Sequence, residues 1–378
     1  MSRPGLFSII VLGAGCAAGA LLLVAASHPV QPGDAKPTPQ RAADSPIPIR
    51  GMAIQISNGH NPLEVYPPML REIADLGANT VLLSPAGYME HAKAQSIVID
   101  VRRTPTRADF AAIIREAHGL GLKVILMPTV LLSHPRGSEW RGVIEPPDWK
   151  EWWEQYRDFL KFFCDVGRDA SADVLMVGSE LVSTEKQTEE WLRVVEMARS
   201  LFPAGKLGYS ANWDHYRPVK FWDKLDLIGM TSYYTLAQEN GPSVEEIAAS
   251  WAPVRDEITA WVRTVGKPLV LTEVGWCSQE GASTAPWNYY HNQRATAAGH
   301  EEQRRLYEGF IRAWDGVPEL GGVIWWEWTP DDGGPNDFGY TPRNKPAEHV
   351  LRAWFADGRL RERAASRAPE SVPPAGSP

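Results

Sequence analysis

Residues 174–180 read VLMVGSE: four apolar residues, a glycine, a serine and then a single acid. A strand buried on both faces is written as a continuous apolar run rather than as an alternation. In a parallel barrel such a strand delivers its last residue to the open, C-terminal rim. Residues 268–275, PLVLTEVG, repeat the pattern and end their apolar run at Glu273. If both runs belong to one sheet, Glu180 and Glu273 share a rim.

Outward from these two stretches the chain alternates. Strand-like runs fall at residues 51–57, 79–84, 123–128, 174–178, 207–212, 226–232, 268–272 and 321–326. Helical periodicity covers 63–76, 107–120, 149–164, 185–201, 244–265, 301–314 and 347–355, with a shorter and weaker segment at 216–224. Eight strands, each followed by a helix, predict an α/β fold of the (β/α)8 TIM-barrel kind over residues 50–356. A doubly wound sheet is the competing architecture. It usually has fewer strands and needs a ligand motif at its switch point, which the sequence lacks.

The flanks have other compositions. Arg3 is followed by an apolar run over residues 6–26, so residues 1–27 read as a secretory signal peptide or an uncleaved membrane anchor. Either places the protein outside the cytoplasm, secreted or tethered. Inside this run IIVLGAGCAAG (9–19) imitates a dinucleotide-binding turn, but Ala18 takes the third glycine position and a proline-rich segment comes next. Residues 28–49 read as a Pro-rich linker and 357–378 as a disordered tail.

With 46 acidic against 38 basic residues and a net charge of −8, and with no basic block, the chain does not suit nucleic acid as a partner. Cys16, Cys164 and Cys277 form neither a disulfide framework nor a CxxC metal pattern, and no cofactor motif appears. A monomer is expected. Sixteen tryptophans supply flat apolar faces, suited either to a core or to stacking on sugar rings.

In a barrel the active site is built from the residues at and just past the C-terminal end of each strand. In order these are Ser57 to His60, Ser84-Pro85, Pro128-Thr129 with His134, Trp140 and Arg141 beyond, Ser179-Glu180, Asn212-Trp213-Asp214, Tyr233-Tyr234, Glu273 with Trp276 beyond, and Trp325 to Trp328. The rim has acids, amides and aromatics but few cations. No strand ends in a Schiff-base lysine, and no paired histidines follow the first strand as in metal-dependent hydrolase barrels. Two carboxylates among aromatics fit glycoside hydrolysis. A pair about 5–5.5 Å apart would make the reaction retaining, with Glu273 as nucleophile and Glu180 as acid and then base, kept protonated by the neighbouring charge.

Val177-Gly178-Ser179-Glu180-Leu181, Leu271-Thr272-Glu273-Val274-Gly275, and Trp326-Glu327-Trp328 followed by Lys345-Pro346-Ala347 together resemble glycoside hydrolase family 113. So does Trp140-Arg141-Gly142 with Trp152, Trp153 and Tyr156 after it. The resemblance spans roughly residues 50–356. It implies a retaining (β/α)8 glycosidase of clan A with endo-β-1,4-mannanase activity, acting on a β-linked polysaccharide or oligosaccharide. It implies Glu180 as acid/base, Glu273 as nucleophile, Tyr233 as a hydrogen-bond donor to that nucleophile and Trp326 as the floor under the sugar at the cleavage point. Asn212, Trp213, Trp140 and Arg141 are expected substrate contacts. Two positions depart from the pattern. Ser179 stands where much of the clan has Asn, and Thr129 where relatives are expected to carry histidine, which bears on mannan specificity. A glycanase for another β-linked hexosan, a non-catalytic carbohydrate-binding barrel and a tethered scaffold stay open.

Overall fold

Nearly continuous apolar runs need cover on both faces, and the chain provides it by closing its sheet on itself and wrapping it in helices. The computed structural model describes residues 49–356. The expected signal or anchor, the linker up to residue 48 and the tail from residue 357 lie outside the described residues. Among the described residues no helix is long and apolar enough to cross a membrane.

The strands are β1 (Ile49–Ile56), β2 (Thr80–Met89), β3 (Lys123–Leu126), β4 (Thr129–Leu132), β5 (Val174–Ser179), β6 (Lys206–Ala211), β7 (Leu227–Thr231), β8 (Leu269–Val274) and β9 (Leu320–Trp325). All pairings among them are parallel, and β1 joins both β2 and β9, which closes the barrel. β4 is the continuation of β3 rather than a further stave. β3 pairs with the first half of β2 and β4 with residues 86–89 of the same strand. Between them stands Pro128, which has no N–H for the ladder. The expected eight staves are therefore present.

The helices are α1 (Pro62–Leu76), α2 (Arg107–Gly119), α3 (Trp149–Ala170), α4 (Thr188–Leu201), α5 (Val244–Val265), α6 (Ala297–Trp314) and α7 (Pro346–Ala356). Two details differ from the sequence reading. Segment 216–224 yields only a 3₁₀ turn, Trp222–Lys224. Its apolar residues are separate anchors and not one helical face: Tyr216 packs on Trp261 at 4.6 Å and Phe221 on Trp191 at 5.1 Å. In addition, α4 begins at Thr188, because a 3₁₀ turn (Val182–Thr184) precedes it and leaves Glu185 buried between them.

The core has two layers. Ala53, Leu82, Ile125, Met127, Val174, Met176, Leu227, Val270 and Ile324 form one cluster inside the barrel. The layer between sheet and helices is larger and takes Trp152, Trp153, Trp191, Trp251, Trp276, Trp314 and Trp325, each fully buried. Much of the tryptophan content is thus core, leaving a smaller set for the rim. Register shifts interrupt the pairing between Met176 and Ser179, between Met230 and Thr231, and between Leu271 and Val274. Such irregularities re-aim side chains, and these three lie where β5, β7 and β8 meet the rim.

Candidate active site

Glu180 lies one residue past β5, buried, with its backbone in the left-handed region at φ 53°. A non-glycine residue held there costs of order 1–3 kcal/mol and needs surroundings that over-determine it. Two backbone donors do so. The Glu180 N–H donates to the Ser210 carbonyl at 2.8 Å, and the Leu181 N–H donates to the Tyr209 hydroxyl at 3.1 Å. Both carboxylate oxygens are also held. Oε1 accepts from the Thr231 hydroxyl at 2.8 Å, and Oε2 accepts from Nη2 of Arg141 at 2.5 Å.

Glu273 belongs to β8. Its neighbour Thr272 meets the Ser210 hydroxyl at 2.6 Å across the barrel interior, yet Glu273 faces inward as well, which the register shift at this point permits. The Tyr233 hydroxyl donates to Oε2 of Glu273 at 2.9 Å. Oε1 is buried and has no hydrogen-bond partner, with Nη2 of Arg141 standing 3.8 Å away. Burial first, and the Glu180 charge second, push the Glu273 carboxyl up to about 8; Arg141 and the Tyr233 hydrogen bond act in the other direction. Sequence reasoning puts the raised acid at Glu180. In the structure the two charges act on each other, and Glu273 is the carboxylate with a single hydrogen-bond donor.

One guanidinium nitrogen thus reaches both acids, at 2.5 and 3.8 Å. Laid end to end these two lengths bound the gap between Oε2 of Glu180 and Oε1 of Glu273.

A third acid stands beside the pair. Glu327 follows β9 and the cis peptide bond Trp326–Glu327. It is buried, accepts from Nε2 of Gln55 at 2.9 Å, and is pushed up to about 7 by burial. Gly275 makes room for this turn. A Cβ there would lie 2.1 Å from the Trp326 carbonyl oxygen.

Of the residues singled out in the sequence, Glu180, Glu273, Tyr233 and Arg141 come into direct contact. Trp326 is half-buried beside them, packed against the interior cluster. Trp213 is tied in through its backbone N–H, which donates to the Thr231 hydroxyl at 3.1 Å, and its ring stacks with Trp287 at 6.1 Å. Asn212 spends its amide on Asp214 at 2.5 Å. Trp140 is partly exposed and lies over Gly142, and no contact joins it to the acids. Sequence reasoning quotes Glu327 only within a motif and gives it no role, and it misses Thr231, Gln55, and the exposed rings of Trp287 and Tyr289 on the long loop after β8. Thr231 and Glu327 carry the signal that finds the others, a polar residue at a strand end. Trp287 and Tyr289 carry none, because a loop of about 20 residues does not disclose where it folds back. A hollow at the opposite end of the barrel, bordered by Lys123, Asp173, Lys206 and Asp226, sits at the face that serves stability in such barrels.

A closed (β/α)8 barrel carrying two buried carboxylates within reach of one arginine, under an aromatic rim, defines a hydrolase of glycosidic bonds. The sequence profile of glycoside hydrolase family 113 matches residues 64–340, and the chain belongs to that family. Solved structures agree. The β-mannanase of the same family from Alicyclobacillus acidocaldarius superposes with a TM-score of 0.71 at 28% identity, covering 82% of this chain and 98% of that one. A second β-1,4-mannanase of the family gives 0.72 at 25% identity, covering 82% and 98%. A third gives 0.73 at 23% identity over 82% and 99%, which by itself speaks to the fold. No curated protein sequence matches the chain.

Proposed function

We propose that this glycoside hydrolase is a retaining endo-β-1,4-mannanase, with Glu273 as nucleophile and Glu180 as acid/base. The observation that carries the reading is the double reach of Arg141, which draws the two carboxylates together, as a double-displacement pair requires. The fully covered β-mannanase structures support the substrate class.

The roles follow from the partners. Oε2 of Glu273 is occupied by the Tyr233 hydroxyl, which leaves the unpartnered Oε1 to attack the anomeric carbon. As that bond forms, the bond to the leaving oxygen breaks and Glu180 gives that oxygen its proton. In the second step Glu180 takes a proton from water, the water oxygen attacks the anomeric carbon, and the bond to Glu273 breaks. The half-buried face of Trp326 suits a sugar ring at the cleavage point. Trp213 lies on the Glu180 side, through Thr231, and so suits the unit that leaves. Asn212, Trp140 and Arg141 belong to the same reading as substrate contacts, Arg141 by exchanging a carboxylate for a sugar hydroxyl. The apolar run over residues 6–26 supports action outside the cytoplasm, free or tethered.

The test is product analysis on defined β-1,4-manno-oligosaccharides, with the anomeric configuration followed by NMR, beside mannan, glucomannan and glucan panels. Retention with mannan preferred is expected. Inversion would contradict the close pair, and a preference for glucan would move the substrate to another hexosan.

A further inference from the structure

Beneath Glu180 runs a chain of polar side chains that the reaction above does not use. The left-handed backbone of Glu180 is pinned on its far side by the Leu181 N–H, which donates to the Tyr209 hydroxyl at 3.1 Å. That hydroxyl donates onward to Oε1 of Glu185 at 2.6 Å, and Oε2 of Glu185 meets Nδ1 of His215 at 2.6 Å. Tyr209 and Glu185 are fully buried, whereas the His215 side chain is 36% exposed. A carboxylate without exposure is expensive to keep, and it persists only when both oxygens are met. Here they are met from two different segments, β6 and the turn after it. The Tyr209 ring is fixed in turn by Trp191, edge-on at 5.0 Å, and by Phe221 at 5.4 Å.

Other charges do not explain the arrangement. Glu185 is held by Tyr209 and His215, while the nearby Glu180 charge works against it. A buried acid placed where a second acid disfavours it contributes less to stability than an apolar side chain of the same shape. What it does contribute is a fixed acceptor for Tyr209, and through Tyr209 a fixed acceptor for the residue after Glu180.

We propose that Tyr209, Glu185 and His215 form a positioning relay that sets the backbone, and hence the carboxylate, of Glu180. The inference rests on Glu180 being the acid/base of the reaction proposed above. The relay touches no substrate, so its loss lowers kcat and leaves KM in place. A displacement of about 1 Å at a reacting group costs up to about 100-fold in rate.

The experiment compares the full-length wild type with Tyr209→Phe, Glu185→Gln, His215→Ala and His215→Gln. Steady-state kinetics on a manno-oligosaccharide are read beside ¹³C-carboxyl NMR titrations of glutamate-labelled protein. Tyr209→Phe and Glu185→Gln are expected to lower kcat about tenfold or more with KM within about twofold. His215→Ala should lose less, and His215→Gln, which keeps an N–H to offer Glu185, should regain most of that loss. The titrations of the Glu180 and Glu273 carboxyls should move in the first three variants and coincide with wild type in His215→Gln. Unchanged kcat per folded molecule and superposing titrations, even with lower Tm, would overturn the relay in favour of a brace. If the buried variants do not fold, the half-exposed His215 pair decides. If the wild type cleaves no β-glycan the functional reading fails, and the carboxyl titrations still judge the relay.

Discussion

Glu302 and Glu273 are both buried carboxylates, and the protein furnishes them in opposite ways. Glu302, on α6, accepts from the Gly281 N–H at 3.1 Å, the Ser283 N–H at 3.0 Å and the Ser283 hydroxyl at 2.7 Å. Glu273 has one donor, one empty oxygen and a second acid nearby. The first arrangement spends a charge to tie down the loop after β8. The second leaves a charge short of partners, where a substrate can supply the rest. An acid met wholly by donors of one loop, as Glu302 is, is structural, and an under-satisfied one beside another acid is available for chemistry.

The largest test of this contrast exchanges each acid for its amide. Glu273→Gln should lower hydrolysis by about 10⁴-fold or more, since no nucleophile remains. Its effect on stability should have the opposite sign. Burial and the Glu180 charge raise the last proton of the pair to about 8 from an ordinary value of 4.5, so ionising both acids weighs on the folded state. That penalty is absent below pH 4.5, grows as pH rises and is complete above about 8. Glu273→Gln should therefore melt several degrees above wild type at about pH 8–9, with the gap closing toward about pH 4. Glu302→Gln turns an amide N–H toward backbone donors and should lower Tm by several degrees at every pH, with kcat per folded molecule kept within about threefold. Thermal melts at several pH values check both. A Glu273→Gln protein that loses stability as Glu302→Gln does would erase the distinction.

Next in size is Tyr233→Phe, which takes from Glu273 its single hydrogen-bond donor. The Tyr233 hydroxyl favours the ionised nucleophile. Its removal should lower kcat about 10- to 100-fold with little change in KM, and move the acidic limb of kcat/KM upward, because the nucleophile then ionises at a higher pH. A limb that stays in place would assign Tyr233 to packing.

This pairing is legible in the amino-acid sequence, and the reason is geometric. An apolar run ending in an acid states both a strand and its C-terminal rim, so Val174 to Glu180 and Leu269 to Glu273 put both acids at one end of the barrel. Tyr233 and Trp326 follow by the same rule, as strand-end residues. Arg141 is legible only as a contact, and its seat between the acids is not. It comes from a 3₁₀ turn far along the loop after β4, and nothing in that spacing says how far the side chain reaches. The burial of Glu185 is hidden too, because residues 185–201 read as one helix with the acid on its exposed start. The missing helix at 216–224 has a similar cause: apolar anchors a few residues apart imitate a helical face.

Arg141→Met refines the comparison further. The productive form of a carboxylate pair carries one proton, and the two apparent values belong to the pair and not to either residue. With the last proton held to about 8, activity should fall above that pH, because no acid remains to protonate the leaving oxygen. Arg141 lowers that value. Replacing it with Met should move the alkaline limb of kcat/KM up by about one unit, an effect of the size expected for a lost cation a few ångströms away. A limb that moves down would mean that Arg141 acts on the pair in some other way than through its charge.

The smallest expected effect is at Ser179, the residue before the acid/base candidate. Its hydroxyl is buried and has no partner, as is true of Oε1 of Glu273. If a missing partner alone marked a catalytic atom, the two would be equivalent. They differ in charge and in setting. The Glu273 oxygen faces a second acid and an arginine across the site, whereas Ser179, 1% exposed, is closed off at the end of β5 beside Ser210. An unmet buried hydroxyl costs about 1–3 kcal/mol, and an alanine removes that cost at the expense of a small void. Ser179→Ala should thus keep kcat/KM within about twofold and leave Tm equal or slightly raised. A tenfold rise in KM would instead show that the hydroxyl reaches a sugar. The contact that much of the clan makes with Asn at this position would then survive in shortened form, and an unmet polar atom at this rim would signify substrate wherever it occurs.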